Sequence, residues 1–238
     1  MPHRARLGML MLVLSSQALT FSPDAAPTDS LEQRVAPCLA CHNLPDTDLG
    51  SGYVPHLDGK PAGYLYNQLL NYRERRRNNP AMVNMVRNLS DNYLWEIASY
   101  FSTRTMSYRE RKPGEVDEKL LKRGKTLATE GDQQEKIPAC QSCHGERLTG
   151  ARPNTPGLAG LPSDYLSAQL GAWRESTRHA ADPDCMRKIA EWLTPRDIQA
   201  VASWLASRPV PDNPQAAMEP PAAPSMDCGS VALPGGPR

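Results

Sequence analysis

Two segments of the chain share one apolar rhythm. Leu94, Ile97, Ala98 and Phe101 stand at i, i+3, i+4 and i+7, and Ile198, Val201, Ala202 and Leu205 repeat those intervals. This spacing gathers each set on one side of an α-helix and predicts one buried stripe per helix. Ser90 and Thr194 precede the stripes as N-caps, and Pro195 opens the second helix, where a missing N–H is no loss. Further helices are predicted from about Leu31, from Pro61 to Arg77, from Ser163 to Thr177, and from Val116 to Thr129, the last with Leu120, Leu121, Gly124 and Leu127 for packing. The expected fold is all-α, with three helices per unit joined by long loops.

The units themselves repeat. Pro55-His56-Leu57-Asp58-Gly59, then Tyr64-Leu65-Tyr66-Asn67-Gln68-Leu69 and Arg73, return 101 positions later as Pro156-Gly157-Leu158-Ala159-Gly160, Tyr165-Leu166-Ser167-Ala168-Gln169-Leu170 and Arg174. Met82 lies eight residues before Ser90, as Met186 does before Thr194. The repeat predicts two tandem domains, at 27–106 and 116–208, with a linker at 107–115.

Composition makes this arrangement hard to satisfy with protein alone. Of 238 residues only 39% are apolar and 6% aromatic, with two Phe. That is little bulk for two cores, and long loops on short helices suit a chain wrapped on a flat apolar group. Lys plus Arg number 27 against 26 acidic residues, a net charge of +1, so no nucleic-acid footprint is present. Residues 1–22 read as a signal peptide: His3, Arg4 and Arg6 lead a short apolar run from Leu7 to Leu14, followed by Ser16-Gln17-Ala18. That run falls short of the roughly 20 residues a membrane helix needs. No later stretch qualifies either, so a periplasmic protein without a stable membrane span is expected. Residues 209–238, rich in Pro and Ala, read as a disordered tail.

Export would ordinarily pair six cysteines as disulfides, but four stand in another pattern. Cys38-Leu39-Ala40-Cys41-His42 and Cys140-Gln141-Ser142-Cys143-His144 are two copies of C-x-x-C-H. Cysteines three apart on a helical turn reach both vinyl groups of one porphyrin edge, and the adjacent His brings its imidazole under the iron. A redox dithiol or a zinc site leaves the His after each pair unexplained. Two covalently bound haem c groups are therefore expected, with His42 and His144 as iron ligands.

The opposite iron position decides between carrier and catalyst. Candidates are Met82, Met85 and His56 in the first unit, and Met186, Cys185 and His179 in the second. Met82 and Met186 alone keep one distance to the final helix cap in both copies, which selects them as metal ligands. Thioether ligation raises the potential and suits a carrier fed by a quinol-linked donor. Cys185 remains open as a thiolate ligand or as the disulfide partner of Cys228. The run Arg73-Glu74-Arg75-Arg76-Arg77, at a helix end where cations complement the dipole, reads as a solvated face, a docking patch or a partner for haem propionates.

Over residues 31–208 the paired motifs, the P-x-L-x-G element, Y-L-x-x-Q-L and the Met before an L-S or L-T cap resemble the dihaem cytochrome c4 family. The resemblance implies two cytochrome c folds with facing haem edges, a periplasmic location, and redox-protein partners that include a terminal oxidase. It also implies Met82 and Met186 as distal ligands, and the carbonyls of Pro55 and Pro156 as acceptors for His42 and His144. Lys60 and Leu161 depart from the Gln that family usually carries there. The expected function is electron transfer without catalysis. The alternatives are a thiosulfate dehydrogenase-like or peroxidase-like dihaem enzyme, or the cytochrome subunit of a periplasmic dehydrogenase.

Overall fold

A computed structural model describes residues 29–43, 53–105, 117–219 and 226–234. The expected signal peptide and linker lie outside the described residues. Those residues form helices and loops with only isolated β-bridges. The first unit contains α1 (Leu31–His42), α2 (Ala62–Arg73), α3 (Pro80–Val86) and α4 (Asp91–Thr103). The second contains α5 (Glu118–Thr129), α6 (Gln141–His144), α7 (Ser163–Arg174), α8 (Cys185–Trp192) and α9 (Pro195–Ser207).

The caps lie where the side-chain chemistry puts them. Ser90 accepts from the Tyr93 amide at the start of α4, and Thr194 and Asp197 form a capping box on α9. Both apolar stripes are buried: Leu94, Ile97, Ala98 and Phe101 in one core, Ile198, Val201, Ala202 and Leu205 in the other. α2 and α7 end at Arg73 and Arg174, short of the predicted Arg77 and Thr177. The cause is the same in each unit. Arg75 and Ser176 take left-handed φ values of 57° and 54°, and the amides of Arg77 and Arg178 turn back to the carbonyls of Asn71 and Ala172. α3 and α8, which carry Met82 and Met186, were not among the predicted helices, because seven or eight residues give too short a run for periodicity to register.

α5 lies tightly on α9. A Cβ on Gly124 would collide with the Ala200 carbonyl, so only glycine permits this approach. Arg123 of α5 fastens the contact, bonding Asp197 at 2.7 Å and Asp132 at 2.8 Å.

The two units meet along a pseudo-twofold seam. Arg77 and Arg178 pair as an antiparallel bridge. Each guanidinium donates to both glutamines of the repeated Y-L-x-x-Q-L block: Arg77 to Gln68 (3.0 Å) and Gln169 (2.7 Å), Arg178 to Gln169 (2.6 Å) and Gln68 (3.0 Å). The backbone adds Tyr64 N–H to the Pro153 carbonyl at 3.2 Å and His179 N–H to that of Arg76 at 2.6 Å.

The tail read as a disordered extension is bonded to both units in its described stretches. Ala217 pairs with Ala151, Cys228 is disulfide-linked to Cys185, and the Val231 amide donates to Asn67 Oδ1 at 3.2 Å. Val231 and Leu233 pack on the first core. A crosslink and backbone pairing supply order that a Pro- and Ala-rich composition does not display. Among the described residues no helix is long and apolar enough to cross a membrane.

Candidate functional site

The first C-x-x-C-H sequence forms the last turn of α1. Cys38 and Cys41 stand one turn apart, with His42 at the helix end. Pro55 lies beside the imidazole, and His42 Nδ1 donates to its carbonyl at 2.7 Å. A carbonyl can only accept, so the proton resides on Nδ1 and the Nε2 lone pair is left for a metal.

The second copy reaches the same arrangement on different supports. Cys140 precedes α6, and Cys143 and His144 lie within it. His144 Nδ1 donates to the Pro156 carbonyl at 2.8 Å. A folded-back loop presents that carbonyl: Gly150 N–H bonds the His144 carbonyl at 2.9 Å, and Leu158 N–H bonds that of Leu148 at 2.8 Å. Gly150 has φ of 88°, and a Cβ there would lie 2.6 Å from the Gly157 nitrogen, so the turn requires glycine.

The electrostatics suit ligation by neutral imidazole. Burial pulls both histidines below their ordinary 6.5, only partly opposed by the proline carbonyls, and the charges of His56 and Arg77 lower His42 further. The Cys38 thiol is raised by burial, and that of Cys140 is pushed up to about 11 by the same cause. Cys38, Cys41, Cys140 and Cys143 take part in no disulfide, while Cys185 and Cys228 are consumed in theirs. Two thiols and one neutral imidazole per unit is the donor set that covalent iron porphyrin requires. Among the described residues no three His, Cys, Asp or Glu side chains converge as a metal-ion site, so the two pairs do not assemble into one shared zinc centre.

Met82 is the third residue of α3 and half-buried against the first core. Met186 is the second residue of α8 and also half-buried. Met85 is 47% exposed, as a solvent-side residue of its helix would be. His56 and His179 lie half-buried in loops. Disulfide bonding to Cys228 removes Cys185 as a thiolate ligand.

The arginine run does not act as one patch. Arg73 bonds the Leu89 carbonyl and Asp91, Arg76 engages Glu74 and Asn71, Arg75 is exposed, and Arg77 is buried in the seam. Sequence reasoning did not single out Gln68, Gln169 and Arg178, although the repeat carried a signal. Arg77 and Arg178 obey the same offset as the Y-L-x-x-Q-L blocks that bond them.

Residues 121–209 match the family model described as cytochrome c. The chain is 33% identical to the thiosulfate dehydrogenase electron acceptor of Thiomonas intermedia (strain K12), over 88% of this chain and 93% of that protein. It is 32% identical to cytochrome c4 of Pseudomonas aeruginosa, over 83% of this chain and 96% of the relative. Among solved structures, reduced recombinant cytochrome c4 from Pseudomonas stutzeri aligns with a TM-score of 0.60 at 31% identity, covering 74% of this chain and 95% of that one. Duplicated domains, duplicated motifs and similarity over most of its length make the chain a member of the cytochrome c4 family, an electron carrier of two cytochrome c domains with two covalently bound haem c groups.

Proposed function

We propose that the protein is a periplasmic carrier that takes electrons from a dehydrogenase or quinol-linked donor, passes them to a terminal oxidase, and transforms no substrate of its own. Cys38 and Cys41 hold one haem and Cys140 and Cys143 the other, with His42 and His144 as proximal ligands and Met82 and Met186 as distal ones. The bound haem supplies a one-electron iron couple. The polypeptide does the rest. The proline carbonyls of residues 55 and 156 fix ring orientation and make each imidazole a better donor. Thioether ligation by Met82 and Met186 would leave no iron position for substrate and would raise the potential. The observation that carries this reading is the matched pair of His Nδ1 to proline carbonyl bonds, at 2.7 and 2.8 Å, each beside two cysteines that no disulfide consumes.

A mass measurement of the exported protein should give two haem adducts, and the oxidised protein should show the weak far-red band of Met-ligated haem. Met82→Ala and Met186→Ala should each remove half of that band. If both variants keep all of it, the ligand assignment fails. A more specific role, as acceptor for a thiosulfate-oxidising dehydrogenase, is favoured by the relative from Thiomonas intermedia. Rapid-mixing reduction by such a dehydrogenase with thiosulfate tests it. Reduction no faster than that of an unrelated cytochrome c would rule that partner out.

A further inference from the structure

The methionines assigned to the two irons are held by different means. In the first unit Pro80 opens α3, and Asn79 Oδ1 accepts from the Met82 amide itself at 3.1 Å. Proline fixes one backbone angle in advance, so little chain freedom is left to lose there. In the second unit α8 opens on Cys185, and its cap Asp184 accepts from the Arg187 amide, one residue past Met186. Asp184 is buried, and its other carboxylate oxygen takes the Ala180 amide at 2.7 Å.

The tail supplies a restraint that proline gives the first unit. Cys228 is covalently bonded to Cys185, the residue next to Met186. The Gly229 amide donates to the Pro183 carbonyl at 2.8 Å. A Cβ on Gly229 would collide with the carbonyl oxygens of Asp182 and Ala181, so the tail backbone lies directly on the turn that leads into α8. Two residues further on, Val231 is bonded to Asn67 of α2 and packed on the first core. The start of α8 is thereby pinned from outside its own domain.

We infer that the Cys185–Cys228 crosslink is a brace that positions the Met186 thioether on the second iron, and that a dithiol reductant releases it. The inference rests on the reading of Met186 as distal ligand. Cys228 is exposed and Cys185 half-buried, so attack falls on the Cys228 sulfur. One thiolate of the dithiol bonds to that sulfur, the Sγ–Sγ bond breaks, and Cys185 leaves as a thiolate; the second thiol then displaces Cys228. Two electrons and two protons pass to the cysteines, and the dithiol becomes a disulfide. Without the crosslink, the first turn of α8 regains chain freedom that ligation must remove, so Met186 yields more easily to a competing ligand. Met82, whose helix carries no cysteine, keeps its hold.

Displacement by imidazole in the oxidised, haem-loaded full chain tests this. In Met82→Ala the remaining far-red band belongs to Met186 alone, and in Met186→Ala to Met82 alone. Adding Cys185→Ser and Cys228→Ser to Met82→Ala should lower by about tenfold the imidazole concentration that removes half of the band, the equivalent of freeing one residue's backbone. The same serines in Met186→Ala should leave the value for Met82 unchanged. Dithiol reduction of the folded Met82→Ala protein, capping of Cys185 and Cys228 with iodoacetamide, and reoxidation with ferricyanide provide the same readout if the serine variant does not fold. An unchanged value for Met186, or an equal drop at Met82, overturns the brace. Absence of the band from Met82→Ala with its crosslink intact would show instead that Met186 is not the ligand, and the brace would fall with that reading.

Discussion

The two domains hang one C-x-x-C-H motif on unlike scaffolds. In the first, the cysteines and histidine are the end of α1, a helix whose one buried residue is Val35. In the second, α5 is a separate packing helix that buries Gly124, Leu127 and Ala128, and the motif follows after a loop on the four-residue α6. The second domain therefore has a helix pair, α5 on α9, in direct backbone contact. The first makes up the difference with aromatic bulk, setting Tyr66 edge-on to Trp95 at 5.7 Å and burying Phe101, and with Val231 and Leu233 borrowed from the tail. A duplicated binding motif does not require a duplicated core.

The strongest way to break this contrast is through the helix pair. Gly124→Val drives a branched side chain into the Ala200 carbonyl and should destabilise the second domain by about 3 kcal/mol or more, leaving the first largely intact. Hydrogen exchange resolved by segment would show the loss confined to residues 117–207; a uniform loss would mean that the domains do not unfold separately. Phe101→Ala is the mirror experiment. It removes a side chain only 1% exposed and should cost the first domain about 3 kcal/mol, read from faster exchange in α2 and α4.

A smaller effect is expected from Cys228→Ser. Losing the crosslink frees the tail, so Val231 and Leu233 should leave the first core and lower its thermal midpoint by a few degrees, roughly 1 kcal/mol for partly buried residues. An unchanged midpoint for that domain would show that the tail adds nothing to it. The smallest effect is a pH dependence of the second domain. Burial raises the Asp197 carboxyl, but hydrogen bonds from Arg123 and Thr194 outweigh it and hold the group below its ordinary 3.8. A depressed folded value stabilises at neutral pH, and that contribution disappears as pH falls below about 4 toward the folded value. Asp197→Asn should flatten this acid-side loss; identical acid melting of the variant and the parent would remove the assignment.

Much of this was legible in the residues. C-x-x-C-H, the repeated Tyr-Leu blocks and the capped stripes of α4 and α9 depend on local chemistry, and the structure carries each in its expected place. The proline carbonyls opposite His42 and His144 came from family resemblance, and both bonds are present at the expected residues. What sequence reasoning missed depends on contacts made across the chain. Gln68 and Arg178 are 110 positions apart and acquire meaning only when the seam forms. α3 and α8 were too short to announce themselves. The arginine run looked like a single surface because adjacency in sequence hid the turn at Arg75, which sends Arg77 inward.

The path of the tail makes peptide continuity and molecular continuity separate properties. Cys228 is fastened to one domain while Val231 and Leu233 rest on the other. A protease that cut between Glu219 and Met226 would leave a two-chain protein whose terminal fragment stays attached until a thiol reductant releases it.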